Sequence, residues 1–272
     1  MADEALPSTH PNVISSGYTE YIIVSSILAL FATICVIIRI LHRSRVRDLW
    51  WDDWTIIGAL FFGLSVVVCN VLVALPSLGG AGYPISTYSI TQLRVWAKIA
   101  LTAEVLYNPS VSLSRVSILL FYWRVFNVQG KILVAANVLF FLLGAYPVQA
   151  QWTLTMPYTK IDVRAFYIST AVIKALLDVG LICTAQRQLY TLKLGKKDKR
   201  LLSGLFAFSA VTIVSTIIRI GLFAVADLNN PTQSFVQSGI WLNVEMFLSI
   251  INACLPGIYA FFKTYDRFRF DF

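Results

Sequence analysis

Charge is scarce in this sequence. Asp, Glu, Lys and Arg together make up 13% of its 272 residues, against about 25% in a soluble domain. With 57% of the chain hydrophobic, a soluble globule is excluded, because a folded sphere cannot hide that much apolar surface. Disorder is excluded too, since it needs low hydrophobicity. Cysteine is also sparse. Cys35, Cys69, Cys183 and Cys254 each fall inside an apolar run, which leaves no disulfide framework and no metal-site spacing. No metal and no cofactor are expected. No acceptable Asn-x-Ser/Thr acceptor is present, Asn230-Pro231-Thr232 being blocked by its proline. Internal repeats, linkers and low-complexity tracts are missing as well. Residues 1–20 carry Asp3 and Glu4 but no Lys or Arg. They read as a short polar segment and not as a cleaved signal peptide, so the first apolar run is expected to serve as the targeting signal.

What the chain does have is long apolar runs. Seven are long enough to cross about 30 Å of hydrocarbon as helices: Tyr21–Leu41, Thr55–Leu75, Val95–Trp123, Ile132–Ala150, Ala165–Ala185, Leu201–Ala226 and Ile240–Phe262. Only helices and closed barrels satisfy the backbone in lipid, and runs of this length are helical. The expected fold is all-α: a polytopic seven-transmembrane-helix bundle over residues 21–263, with a tail at 264–272. Pro109 should kink the third span.

Orientation follows from the basic residues. With the N-terminus outside or lumenal, the cytosolic segments hold Arg43, Arg45, Arg47, Arg124, Lys131, Arg187, the Lys193–Arg200 run, Lys263, Arg267 and Arg269. The outer side then holds Arg94, Lys98, Lys160 and Arg164. The C-terminus is therefore placed in the cytosol. The net charge of +8 reports topology; a nucleic-acid partner would need a basic face on a soluble domain. The partner implied is the lipid bilayer, with the endoplasmic reticulum or another endomembrane favoured. Lys193–Arg200 could attract anionic headgroups, but it reads first as a positive-inside stop. Gly79-Gly80-Ala81-Gly82 reads as a flexible outer loop. Trp50, Trp51 and Trp54 fit an interfacial belt. Asp52 and Asp53 stand where the second helix begins, where they can cap free N–H groups.

Several stretches together resemble a known group. Trp51-Asp52-Asp53-Trp54 follows a basic first loop. Ser112-Leu113-Ser114-Arg115-Val116-Ser117 and Ile118-Leu119-Leu120-Phe121-Tyr122-Trp123-Arg124-Val125-Phe126 close the third span. Asp178, Arg219, Ile240-Trp241, Glu245 and Leu255-Pro256 follow in order. The chain resembles the fungal rhodopsin-domain group of seven-helix membrane proteins over roughly Tyr21–Lys263. The resemblance implies a membrane bundle of the kind found in receptor-like members and in members of secondary-metabolite gene clusters. It does not imply retinal. A retinal protein needs a Schiff-base lysine midway along its last helix, and the seventh span has none before Lys263.

Ionisable residues inside the spans carry the functional information. A charge at mid-bilayer costs at least about 2.5–3.5 kcal/mol, so such residues face inward and find partners. Glu104, Asp178 and Glu245 are expected to converge with Lys174 and Arg219 in the outer half of the bundle. Arg39 and Arg115 should lie deeper, toward the inner side. Lys174 and Asp178 are four residues apart and share a helix face. One reading is a structural lattice that pairs Arg219 with Glu245 and Lys174 with Asp178. The other is catalytic. Three acids against two cations leave one carboxylate over, and a buried carboxylic acid without a partner keeps its proton and can donate it. That predicts a membrane-embedded cyclase or isomerase acting on a lipophilic terpenoid or meroterpenoid. Glu104, Asp178 or Glu245 would protonate an epoxide or alkene. Lys174 and Arg219 would orient substrate oxygen or tune the acids. Tyr107, Trp241 and Phe247 would stabilise the carbocation, with Trp152, Tyr167 and Phe223 as further candidates. The alternative is a receptor-like seven-helix sensor coupling to G protein. A transporter would show an inverted repeat or paired broken helices, and neither is visible.

Overall fold

The structure is a computed structural model and describes residues 15–75, 82–126, 163–191, 204, 209–227 and 230–270. Six α-helices occupy these residues. They are α1 (Ser16–Arg45), α2 (Trp51–Ala74), α3 (Ile90–Phe126), α4 (Val163–Thr191), α5 (Ala210–Val225) and α6 (Pro231–Phe270), with a short 3-10 turn at Ile85–Thr87. No strand occurs among the described residues. Each helix overlaps one of the apolar runs. The run Ile132–Ala150, the Lys193–Arg200 segment, Gly79 to Ala81, Trp152 and the Tyr167 side chain lie outside the described residues. Helix α3 continues through Pro109 without ending.

Three helical stretches are long and apolar enough to cross a membrane: Ser16–Arg45, Trp51–Ala74 and Thr232–Ile258. The burial pattern agrees with a lipid solvent. On α5 the buried stripe is Thr212, Ser215, Thr216, Arg219 and Phe223, whereas Val211, Val214, Ile217 and Val225 are exposed. A helix in water would present the opposite faces. The chain is an integral membrane protein with a helical fold.

The ends of the helices are set by local chemistry. The Ser15 hydroxyl accepts from the Tyr18 amide and caps α1. At the other end Arg47 takes φ of 54°, a left-handed conformation uncommon outside glycine. Its amide reaches the Ser44 carbonyl, and the Asp48 amide reaches the Arg43 carbonyl. These bonds form a Schellman motif that turns the chain into α2. There the Asp53 carboxylate accepts from the Trp50 amide at 3.2 Å, the acidic cap expected at this position. Helix α3 opens on a capping box: the Ser89 amide donates to Gln92 Oε1 and the Gln92 amide to Ser89 Oγ. Helix α6 opens on Pro231, which has no amide to leave unsatisfied. The Thr232 hydroxyl then ties its start to the Tyr83 carbonyl.

Helix α2 packs most extensively against α3, and α1 against α6; α6 also meets α2, α3 and α5. That makes α6 the axis of the bundle, and every residue from Glu245 to Cys254 is buried. The main core gathers Ala32, Ile56, Val66, Val111, Phe247 and Ile250 around it. Close approach is secured by Gly63, where a methyl group would stand 3.2 Å from Ser110 Oγ and 3.5 Å from Phe247. Hydroxyls stitch the same contacts. Ser110 donates to the Ala59 carbonyl at 2.8 Å, Ser114 and Ser249 share a 2.8 Å bond, and Asn243 donates to Ser25 at 2.7 Å.

Candidate functional site

Two layers of buried charge cross the bundle. The first joins α3, α4, α5 and α6. Helical spacing puts Glu104, Tyr107, Val111 and Arg115 along one stripe of α3. Lys174 and Asp178 sit one turn apart on α4. Arg115 is 1% exposed and grips Asp178 through a two-pronged pair, Nε to Oδ1 at 2.8 Å and Nη2 to Oδ2 at 2.9 Å. This fork-on-carboxylate geometry fits arginine. Arg219 Nε donates to Glu245 Oε2 at 3.1 Å, with both side chains buried. Lys174 Nζ donates to the Tyr107 hydroxyl at 2.7 Å and lies 3.9 Å from the ring centroid. The phenol thus meets the ammonium by oxygen and by π-face, while its hydroxyl faces Glu245. Glu104 stands half-buried at the rim, and its charge reaches Arg219.

The second layer lies at the end that gathers the α1 C-terminus, the α2 N-terminus and the α3 C-terminus. Arg39 is buried between both aspartates of the Trp-Asp-Asp-Trp stretch, 2.7 Å from Asp52 and 2.9 Å from Asp53. It also donates to the Ala253 carbonyl of α6. Gly257 makes that passage possible, because a methyl group there would stand 3.2 Å from Arg39 Cγ. Arg43 reaches Asp48 and Asp52, and Arg124 bonds Asp48. The Ser117 hydroxyl donates to the Asp52 carbonyl at 2.7 Å.

Of the residues singled out from the sequence, Tyr107, Lys174, Asp178, Arg219 and Glu245 do meet in one layer, with Glu104 at its edge. Trp241 is half-buried, Phe247 packs in the main core, and Phe223 meets Phe235 at a tilt with centroids 5.5 Å apart. Two placements differ from expectation. Asp178 takes Arg115 as its bonded cation, while Lys174 bonds Tyr107. Arg115 therefore belongs to this layer and not to a deeper one. Its signal was present in the sequence, since it continues the α3 stripe of Glu104 and Tyr107. Likewise, Asp53 caps α2, and it holds Arg39 of the preceding helix together with Asp52.

The chemistry changes accordingly. Arg115 and Arg219 thus neutralise Asp178 and Glu245, the two deeply buried carboxylates of the layer. What remains is a buried polar layer whose pairs come from four different helices. Such a layer is destabilised by the loss of one partner and by any shift of one helix against another.

Comparison with known proteins points the same way. The chain is 24% identical over 201 residues to a SAT4 family membrane protein of Emericella nidulans, an alignment covering 68% of this chain and 51% of that protein. It is 23% identical over 252 residues to Receptor GIN3 of Arthrobotrys oligospora, covering 86% of this chain and 60% of the receptor. The chain thus spans between half and two-thirds of the length of these curated relatives. They overturn the cyclase expectation: a receptor and a membrane protein stand where a terpenoid cyclase or isomerase was expected, and neither name carries an enzymatic activity. Residues 38–264 match the profile of the fungal rhodopsin domain, and the chain belongs to that family.

Proposed function

We propose that the chain is a receptor-like membrane sensor. It forms a seven-helix bundle over residues 21–263, with Ile132–Ala150 as the fourth span, the N-terminus outside and the C-terminus in the cytosol. The basic residues support that orientation. The ligand is a lipophilic small molecule that enters from the outer half of the bundle. The response leaves through a G protein at the arginine-rich end. The similarity to a receptor across most of the chain supports this reading.

The carrying observation is that α3 and α6 take part in both charged layers. Helix α3 supplies Tyr107 and Arg115 to the first layer and Ser117 and Arg124 to the second. Helix α6 supplies Glu245 to the first and the Ala253 carbonyl to the second. A ligand that pulls on Glu104, Lys174, Asp178, Arg219 or Glu245 shifts these two helices, and their far ends carry the Arg39 and Arg124 contacts. Differential contact in two states is what coupling requires.

The test uses the full chain in fungal cells, with luminescent complementation between its C-terminus and the host Gα subunit. Lipophilic extracts are added in fractions. The expected result is a fraction that changes the signal in the wild-type chain and fails to do so in Arg219→Met. A signal that no fraction moves, while the chain is inserted and abundant, rejects the receptor reading.

A further inference from the structure

Between the two charged layers lies a cavity of about 30 Å³. Its wall includes Arg115 and Tyr122 of α3, Asp178 of α4, Thr212 of α5, and Ser249 and Asn252 of α6. Ile118, Leu181 and Ile182 complete the wall with apolar surface, and each of the polar side chains named belongs to a helix that joins the first charged layer. The Oδ1 atom of Asn252 is buried and has no hydrogen-bond partner among the described residues, in a residue 8% exposed. Leaving a buried carbonyl oxygen unmet costs on the order of its desolvation penalty. The backbone adds a second demand at the same residue. Position 256 is proline, so the Asn252 carbonyl cannot receive the helical amide from four residues ahead.

We propose that this cavity is a site for ordered water that links Asn252 to the Arg115–Asp178 pair and the α5 hydroxyls. The chemistry of the wall selects a neutral molecule that both donates and accepts. A cation would face the Arg115 guanidinium, and an anion would face the Asp178 carboxylate. Asn252 Oδ1 needs a donor, while the Thr212 and Ser249 hydroxyls, whose own protons go to the Ser209 carbonyl and to Ser114, can each receive one. The volume suffices for ordered water, and the wall offers more than the two to four polar partners such a molecule needs. The site makes the segment around Asn252 and Pro256 a hydrated break in an otherwise dry axis helix.

Radiolytic footprinting of the full chain in nanodiscs tests this, because X-ray pulses turn cavity water into hydroxyl radicals on the spot. Tyr122 lines the cavity and is 4% exposed; Tyr107 is 2% exposed and does not line it. The expected result is oxidation of Tyr122 without oxidation of Tyr107, with the label exchanging slowly when the bulk is replaced by heavy-oxygen water. Asn252→Leu, or Thr212→Val where the first variant inserts poorly, should remove the Tyr122 label. An unlabelled Tyr122 in the wild-type chain overturns the proposal. So does a thermal stabilisation by sodium chloride that N-methylglucamine chloride does not reproduce and that Asn252→Leu abolishes, since the occupant would then be a cation.

Discussion

Removing one charge from a buried pair strands the other. Arg219 and Glu245 are 3% and 1% exposed, so Arg219→Met leaves a buried carboxylate without its bonded cation. The expected loss is about 3–5 kcal/mol, read as a lowered Tm in detergent. Arg219→Met combined with Glu245→Leu should recover most of it, because hydrophobic replacement of the whole pair is close to neutral. Equal losses in single and double variants would mean that the pair is not coupled. Arg39 makes a different demand. It meets two aspartates and a backbone carbonyl at once, a fan of donors that the lysine ammonium cannot reproduce. Arg39→Lys should therefore lower Tm nearly as far as Arg39→Met.

At the scale of the elements, the α1–α2 turn decides how the second layer is built. Arg47 holds the left-handed position of the Schellman motif, and the residues after it bring Asp52 and Asp53 back against Arg39. Arg47→Gly should leave stability unchanged or slightly raised, since glycine adopts this conformation without the roughly 1–2 kcal/mol steric cost. Arg47→Val should lower it, because a β-branched residue there is an outlier. Helix α6 sets a second condition. Gly257→Ala places a methyl group against Arg39 and should cost about 1–3 kcal/mol as Arg39 is displaced, measured by chemical unfolding of the reconstituted protein. A neutral Gly257→Ala would show that Arg39 has room to move. The existence of α1, α2 and α6 was legible as apolar runs with few charges, although α1 and α6 extend beyond those runs at both ends. The turn was not, because a left-handed arginine carries no compositional mark that a left-handed glycine would.

For the whole molecule, orientation is the property most open to direct measurement. An Asn-x-Thr acceptor introduced before Tyr21 should be glycosylated in microsomes, and one introduced within Lys193–Arg200 should not. The readout is an endoglycosidase-sensitive shift. The reverse pattern would place the arginine-rich layer outside and remove it from the reach of any G protein. The cyclase expectation is overturned by the relatives, and the structure shows where its charge count departed from the packing. It counted acids and cations by depth along separate spans, and depth alone put Arg115 elsewhere. Packing of α3 against α4 put it on Asp178.

The sequence by itself determined the solvent and the secondary structure. Long runs with little charge can satisfy their backbone only as helices in lipid, whatever their partners. It also announced that the few charges inside those runs must find one another, because an isolated charge is too costly there. Only the tertiary structure decided the pairs. Arg39 with Asp52 and Asp53, Arg115 with Asp178, and Lys174 with Tyr107 depend on which helix faces which, and on the azimuth of each around its axis. Periodicity places a residue on a face of its own helix, but the neighbour that face meets is fixed by packing of the whole bundle.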